Sequence, residues 1–376
     1  MSIYLHIPYC KKLCYYCDFH FSVNLKTKQE FVAALCKELE LQKDFLTTQK
    51  IETIYFGGGT PSVLSKEEIA QILHTIQNYF PISETAEITF ECNPDDLNKE
   101  YLQDLFSLGI NRLSIGIQSF FDDDLVTLNR RHNCQEAQNC IQLAQQVGFT
   151  NITIDLIYGL PNQTLERWKQ NLEIVSQLNI QHLSAYALTV EKSTALHKFV
   201  NTGKIKIPQD EQVISHFEYL VEWSQKQGFE QYEISNFARN GMYSKHNSNY
   251  WKGIPYLGVG PSAHSFNGTH RFWNISHNQK YIQSIQEGIV PREAEELSLS
   301  DKYNEYIMTG LRTKWGVEIE FIKTNFPNDF YCNFTELITK YISQDLMKKT
   351  ETHVFFTTKG FMLSDSIISE LFKIDE

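Results

Sequence analysis

Nowhere among the 376 residues is there an apolar run that approaches the roughly 18 consecutive residues a bilayer-spanning helix needs. That absence excludes a helical membrane protein and leaves only peripheral association open. A secretory leader is not expected either, because Pro8 and Cys10 interrupt the N-terminal stretch before an apolar signal core can form. The expected location is the cytoplasm. Cysteine is sparse at eight residues, too few to staple a chain of this length, and the cytosol would keep them reduced. Positive charge is in deficit: 34 basic against 45 acidic residues leave a formal net charge of −11. This argues against a nucleic-acid partner bound through its phosphates. Neither internal repeats beyond a strand–helix alternation nor low-complexity tracts occur.

What is present is an ordinary globular composition, 42% hydrophobic and 21% charged, long enough for two or three domains. Six short β-rich runs recur: Ile3 to Ile7, Ile51 to Phe56, Ala86 to Cys92, Arg112 to Gln118, Asn151 to Tyr158 and His182 to Leu188. Helical stretches separate them. Ser65-Lys-Glu-Glu68 forms a capping box ahead of a face of Ile69, Ile72, Leu73, Ile76 and Phe80, and Thr27-Lys-Gln-Glu30 suggests a second box. Strand alternating with helix implies an α/β fold of parallel strands, either doubly wound or barrel-like. The unusual residues all follow or close a strand: the cysteine cluster, Gly57-Gly-Gly-Thr60, Glu91, Gln118, Asp155 and Tyr186. A barrel gathers every C-terminal strand end around one mouth, whereas an open sheet draws on a few at its switch point. The reading is a partial (β/α)6 TIM-like barrel.

The expected division is a core barrel over 1–235, a connecting segment over 236–299 with no clean period, and a smaller C-terminal α+β module over 300–376. That module reads as helices, a strand at Thr352 to Thr357, a Lys359-Gly360 turn and a last helix, in a winged-helix-like order. Its 9 basic and 12 acidic residues from 301 onward make DNA binding the weaker use.

Three cysteines stand apart from the scattered five. Cys10-Lys-Lys-Leu-Cys14-Tyr-Tyr-Cys17 is a C-x3-C-x2-C cluster in a loop directly after a strand. Three thiolates leave one iron of a four-iron cluster open, and an open iron can bind a small amino acid-like ligand. A zinc site with His20 as fourth ligand is the alternative, although no second Cys pair is present. Gly57-Gly-Gly-Thr-Pro-Ser62 lets backbone approach a ligand closely, but it lacks the lysine of a phosphate loop.

The C-x3-C-x2-C cluster resembles the signature of the radical S-adenosylmethionine (radical SAM) superfamily. Tyr-Leu-His-Ile-Pro-Tyr-Cys10, Tyr-Phe-Gly-Gly-Gly-Thr-Pro-Ser62, Ile-Gly-Ile-Gln-Ser-Phe120 and Asp-Leu-Ile-Tyr-Gly-Leu-Pro161 narrow the resemblance to its coproporphyrinogen oxidase-like branch. The resemblance implies a 4Fe-4S cluster on Cys10, Cys14 and Cys17, with S-adenosyl-L-methionine (SAM) chelated at the open iron. It further implies SAM contacts at Tyr4, Tyr16, Gly58, Gly59, Thr60, Glu91, Gln118, Arg130, Asp155 and Ala187.

That branch holds oxygen-independent coproporphyrinogen III oxidases and heme chaperones. The oxidases carry a further cysteine two residues after the cluster and an N-terminal extension. Here that position is Phe19, and nine residues precede Cys10. His246-Asn-Ser-Asn-Tyr-Trp251 matches the H-N-x-x-Y-W motif of the chaperones. The resemblance therefore implies a heme chaperone working with an acceptor protein and an electron donor, and the oxidase is the alternative. An imidazole can ligate heme iron and aromatic faces can cover a porphyrin, so His246 is the expected heme ligand and His264 the second candidate; a hydrogen-bonding role for His246 in a turn stays open. One departure is Asn129, where the chaperones often have glycine before Arg130.

Overall fold

The computed structural model describes residues 1–46 and 49–374. Six parallel strands follow one another: β1 (Ser2–Ile7), β2 (Ile51–Gly58), β3 (Ile82–Cys92), β4 (Arg112–Gln118), β5 (Asn151–Tyr158) and β6 (His182–Ala187). Their spatial order is their chain order. A sheet that never reverses direction has no switch point, so it is the partial barrel and not the doubly wound alternative.

Alternation along the strands divides the barrel chemically. The outward set, such as Ile3, Leu5 and Ile7 on β1 or Leu113, Ile115 and Ile117 on β4, is fully buried in the main core. The inward set is polar: Thr53, Glu87, Thr89, Arg112, Ser114, Thr153, His182 and Ser184 are all buried. The period of two sends one set to the covering helices and the other to the barrel interior.

The helix Lys66–Tyr79 starts at the Ser65 capping box, both bonds being present, and buries Ile69, Ile72, Leu73 and Ile76. The box expected at Thr27 does not form. Thr27 precedes the helix Lys28–Leu41 but makes no side-chain cap, because its hydroxyl is spent on Tyr9, 2.9 Å away.

Residues 230–299, whose stretch Asn236 to Asn274 has no clean period in sequence, extend the sheet at both edges. β7 (Glu230–Gln231) and β8 (Asn236–Ala238) join antiparallel beside β6. On the other side β9 (Tyr256–Val259) runs parallel to β1 and continues into the antiparallel β10 (His264–Phe266), β11 (His270–Asn274) and β12 (Arg292–Glu296). Strands of three to five residues are too short to show a period. Phe237, Leu257, Val259 and Tyr281 of this segment pack in the same core as β1 to β6.

The C-terminal part has its own core, from Tyr303 to Leu371, around β13 (Val317–Glu318), β14 (Met347–Lys349) and β15 (His353–Phe356). Residues 375–376 of the expected module lie outside the described residues. The Lys359-Gly360 turn is instead a short helix, Thr358–Phe361. Gly360 is needed there for proximity, since a Cβ would lie 1.9 Å from the Leu346 carbonyl oxygen.

One buried carboxylate fastens the added strands to the barrel. Glu38, fully buried on the first helix, accepts from Gln42 Nε2 (2.8 Å), the Gly260 N–H (2.8 Å), Asn274 Nδ2 (2.7 Å) and the Tyr281 hydroxyl (2.5 Å). Replacing it strands four donors away from water. Glu38→Leu is therefore expected to lower stability by about 3 kcal/mol or more, read as a lower denaturant midpoint; an unchanged midpoint would remove this clasp from the account.

Candidate functional site

At the C-terminal strand ends the cysteine loop lies over the barrel mouth. Cys10, Cys14 and Cys17 are half-buried free thiols. The Thr60 hydroxyl donates to Cys10 Sγ (3.3 Å) and Arg130 Nη1 donates to Cys14 Sγ (3.4 Å). Donors aimed at sulfur favour the thiolate, the form that ligates metal. Burial opposes this in the metal-free protein and pushes the Cys10 thiol up to about 12. Among the described residues no three His, Cys, Asp or Glu side chains converge to hold a single ion. His20 is also engaged, 2.6 Å from Asn278 Oδ1. With His20 held by Asn278, the fourth ligand considered for zinc is engaged elsewhere, whereas a four-iron cluster takes its thiolates on separate irons.

The glycine run after β2 is packed so closely that side chains are excluded. A Cβ on Gly57 would lie 2.8 Å from Tyr55 and 3.0 Å from Glu91 Oε1; one on Gly59 would lie 2.7 Å from the Ile7 carbonyl oxygen. Gly58 has φ +104, and a Cβ there would meet the His6 ring at 2.6 Å. The run is a cradle of bare backbone beside the first cysteine.

Two carboxylates face each other below the mouth. Glu91 accepts from the Tyr55 hydroxyl at 2.7 Å, and Ser114 Oγ lies 3.5 Å from Asp155 Oδ2. Burial raises Glu91 to about 7 and Asp155 to about 6, and the charge of Asp155 adds to the rise at Glu91. Arg112, a buried inward residue of β4, pulls both back down; it forms no ion pair within the described residues, and its Nε has no partner. Arg130 caps the same region. Its Nη2 donates to Asn93 Oδ1 and the Gly116 carbonyl, each at 2.7 Å, and its buried Nε is unpartnered. Tyr16 packs against Leu128, Ile157 and Leu160, and Arg130 and Asp155 both act on its hydroxyl. Gln118 ends β4 with φ 68, a left-handed conformation that costs a non-glycine residue energy and marks a functional turn.

Of the expected contacts, Thr60 and Arg130 touch the cysteines directly, Tyr16 lies within electrostatic reach of Cys14, Cys17, Arg130 and Asp155, Asp155 acts on Glu91, and Ala187 is exposed at the end of β6. Asn129 reaches φ 60 without glycine and donates to the Leu13 carbonyl at 2.6 Å, so the substitution supports the cysteine loop. Three partners were not singled out from sequence: Asn93, which links Thr60 and Arg130; Tyr55, which holds Glu91; and Arg112. Asn93 had a signal, standing two residues beyond Glu91 at a strand end. Arg112 had none, because a strand-initial arginine reads as a surface charge.

His246 is not part of this group. It lies on the short helix Lys245–Trp251 against the barrel floor, 2% exposed. Its Nδ1 is 2.7 Å from Thr53 Oγ1 and its Nε2 2.8 Å from the Tyr250 hydroxyl, while its backbone N–H donates to Glu87. Burial, aided by Arg112, lowers its pKa to about 3. With both ring nitrogens bonded, His246 could take iron only by giving up one of these hydrogen bonds.

A family profile for the Radical SAM superfamily matches residues 4–175, and one for the HemN C-terminal domain matches 297–363. The chain is 33% identical to the heme chaperone HemW of Bacillus subtilis, over 97% of both chains. It is 34% identical to that of Lactococcus lactis, over 100% of this chain and 98% of the other. The chain belongs to the HemW family of radical SAM proteins. Coproporphyrinogen III oxidase (HemN) from Escherichia coli shares its fold, with a TM-score of 0.85 at 24% identity over 99% of this chain and 90% of that one. Family membership brings a 4Fe-4S cluster and SAM as cofactors, and the sulfur-directed donors, the bare-backbone cradle and the unpartnered Arg130 Nε fit them.

Because the folded pKa of Glu91 exceeds its unfolded value, the folded protein holds the extra proton between about pH 4.5 and 7. Its contribution is present below that window and is lost as pH rises through it. Unfolding in denaturant should show stability falling from pH 5 to 7.5, with a smaller fall in Glu91→Gln. Equal slopes in the two proteins would place the ionisation elsewhere.

Proposed function

We propose that the protein is a cytoplasmic heme chaperone that binds heme and passes it to an acceptor protein, with a 4Fe-4S cluster and SAM in its barrel mouth. The observation that carries this is end-to-end similarity to heme chaperones of two bacteria. Phe19, 67% exposed where the oxidases have a further cysteine, supports it.

Cys10, Cys14 and Cys17 hold the cluster in this reading, and when bound the pair supplies one-electron chemistry fed by a donor protein. The chain's residues bind and orient. Glu91 and Asp155, when ionised, accept hydrogen bonds from the hydroxyl or ammonium groups of SAM; Arg130 offers its free Nε to the carboxylate; Tyr16 flanks the adenine. Gly58, Gly59 and Thr60 bring backbone and hydroxyl groups to the amino acid end, with Tyr4, Gln118 and Ala187 along the wall. Arg112 limits the cost of charging two carboxylates out of water.

Cluster assembly tests the ligands. After anaerobic reconstitution, Cys10→Ala, Cys14→Ala and Cys17→Ala should each lose iron and sulfide while Cys36→Ala keeps both; equal content across the four would sink the assignment. The function is tested on the loaded protein, which should bind heme and leave coproporphyrinogen III unchanged in the presence of SAM and reductant. Formation of protoporphyrinogen IX would overturn the chaperone reading in favour of the oxidase.

SAM affinity carries a pH signature. The ionised fractions of Glu91 (about 7) and Asp155 (about 6) grow as pH rises, so calorimetry should show tighter binding at pH 8 than at pH 6. Glu91→Ala should bind at least tenfold more weakly, a loss on the order of 1.5–3 kcal/mol for a charged hydrogen bond. Undiminished affinity would take Glu91 out of the site.

A further inference from the structure

We infer that the heme iron is taken by His264, on the inner face of the β9–β12 sheet extension. This rests on the heme-chaperone reading above and names the site it lacks.

The register places the groups. His264 pairs with Trp273, and Phe266 pairs with both Arg271 and Tyr256. Residues directly opposite in a ladder, and alternate residues along a strand, share a face. His264, Phe266, Trp273, Arg271 and Tyr256 therefore stand on one side of the extension. β9 pairs with β1 through Ser2–Tyr256 and Tyr4–Gly258, so that side continues the inner face carrying Tyr4 and His6. His264 and His6 are close enough to act on each other's charge.

Iron ligation requires a nitrogen lone pair in open space and an apolar plane for the porphyrin. Of the twelve histidines, His6, His132, His182, His216 and His246 are buried. His20, His197, His270, His277 and His353 each have a ring nitrogen in a hydrogen bond, which by itself leaves a second nitrogen able to ligate; His270 stands on the opposite face of β11 from Arg271 and Trp273, paired with Glu296, and His353 pairs with Glu318. His74, exposed on the helix Lys66–Tyr79, has no aromatic side chain against it. His264 is exposed, forms no hydrogen bond within the described residues, and lies 6.5 Å from the Trp273 ring at an interplanar angle of 31°. Burial and then Arg271 hold its pKa below the ordinary imidazole value, which keeps the lone pair free at neutral pH.

The rest of the face suits an amphipathic macrocycle. Trp273, Phe266 and Tyr256 offer aromatic surface, with Phe266 and Tyr256 at 6.4 Å. Arg271 is 42% exposed and binds Glu305 through Nη2 alone at 2.5 Å, leaving N–H donors for a propionate.

The test is hemin titration of the protein with its cluster loaded, followed by the Soret band. His264→Gly should bind at least tenfold more weakly and lose the imidazole-ligated spectrum, with iron-sulfur content and SAM affinity unchanged. Added imidazole should restore the spectrum by filling the gap. Arg271→Ala should weaken binding while keeping the parent spectrum. A His264→Gly protein with the parent affinity and Soret band overturns the assignment, as does imidazole rescue of His246→Gly but not of His264→Gly. Failure of the parent protein to bind hemin overturns the heme reading itself, a result distinct from misplacing the ligand.

Discussion

A barrel with charge on its inside must be neutralised largely from within, because its walls restrict the water that reaches those groups. That requirement governs this molecule. The outward faces of the six strands carry the hydrophobic core, and the inward faces carry Glu87, Glu91, Arg112, Asp155 and His182. Each of these costs energy to bury unless a partner of the right kind stands nearby. Glu87 takes two backbone N–H groups at the start of the helix Lys245–Trp251, and Glu91 takes Tyr55. Arg112 counters Glu91 and Asp155 together without pairing with either. The residual cost is visible in carboxylates poised near neutrality, where a ligand's charge can decide their state.

The same economy explains the helix that carries the H-N-x-x-Y-W motif. It closes the barrel floor from the end opposite the cysteines, and His246 and Tyr250 fill the space beneath Tyr4 and Tyr55, with ring centroids 4.9 Å apart for Tyr55 and His246. Its last residue faces the other way. Trp251 lies under the Arg312 guanidinium, at 5.9 Å, and Lys252 over Trp315 at 4.7 Å. About two turns of helix thereby join the polar floor of the barrel to the C-terminal part. The motif's histidine ties the helix to β2 through Thr53, and its neutral imidazole follows from burial and then from the nearby Arg112.

At the mouth the chain is built for contact with groups other than itself. Three glycines leave no room for side chains, Gln118 holds a strained backbone, and Arg130 keeps an N–H free after satisfying a thiol, an amide and a carbonyl. These are local departures from good folding practice, and they coincide where the cofactors of the family bind. The sheet extension adds a second surface beside β1, with Tyr256, Phe266 and Trp273 on one side of it.

The sequence by itself determined the six strands, the outward apolar faces and the position of the cysteine loop, Gly57 to Thr60, Glu91 and Gln118 at or after C-terminal strand ends, since these depend on short-range periodicity and on motifs whose residues are neighbours in the chain. It also indicated the barrel, because chemistry distributed over six successive strand ends needs a closed ring of ends. What it left undecided depends on partners far apart in sequence. Thr27 is a cap until Tyr9 takes its hydroxyl; His246 is a ligand until Thr53 and Tyr250 take its nitrogens; Arg112 is a surface charge until β4 turns it inward. The short strands β8 to β12 have no period to read and exist only because β6 and β1 offer edges to pair with. A side chain's type says what bonds it can make, and only the tertiary structure decides which of those bonds are already made and which remain for a ligand.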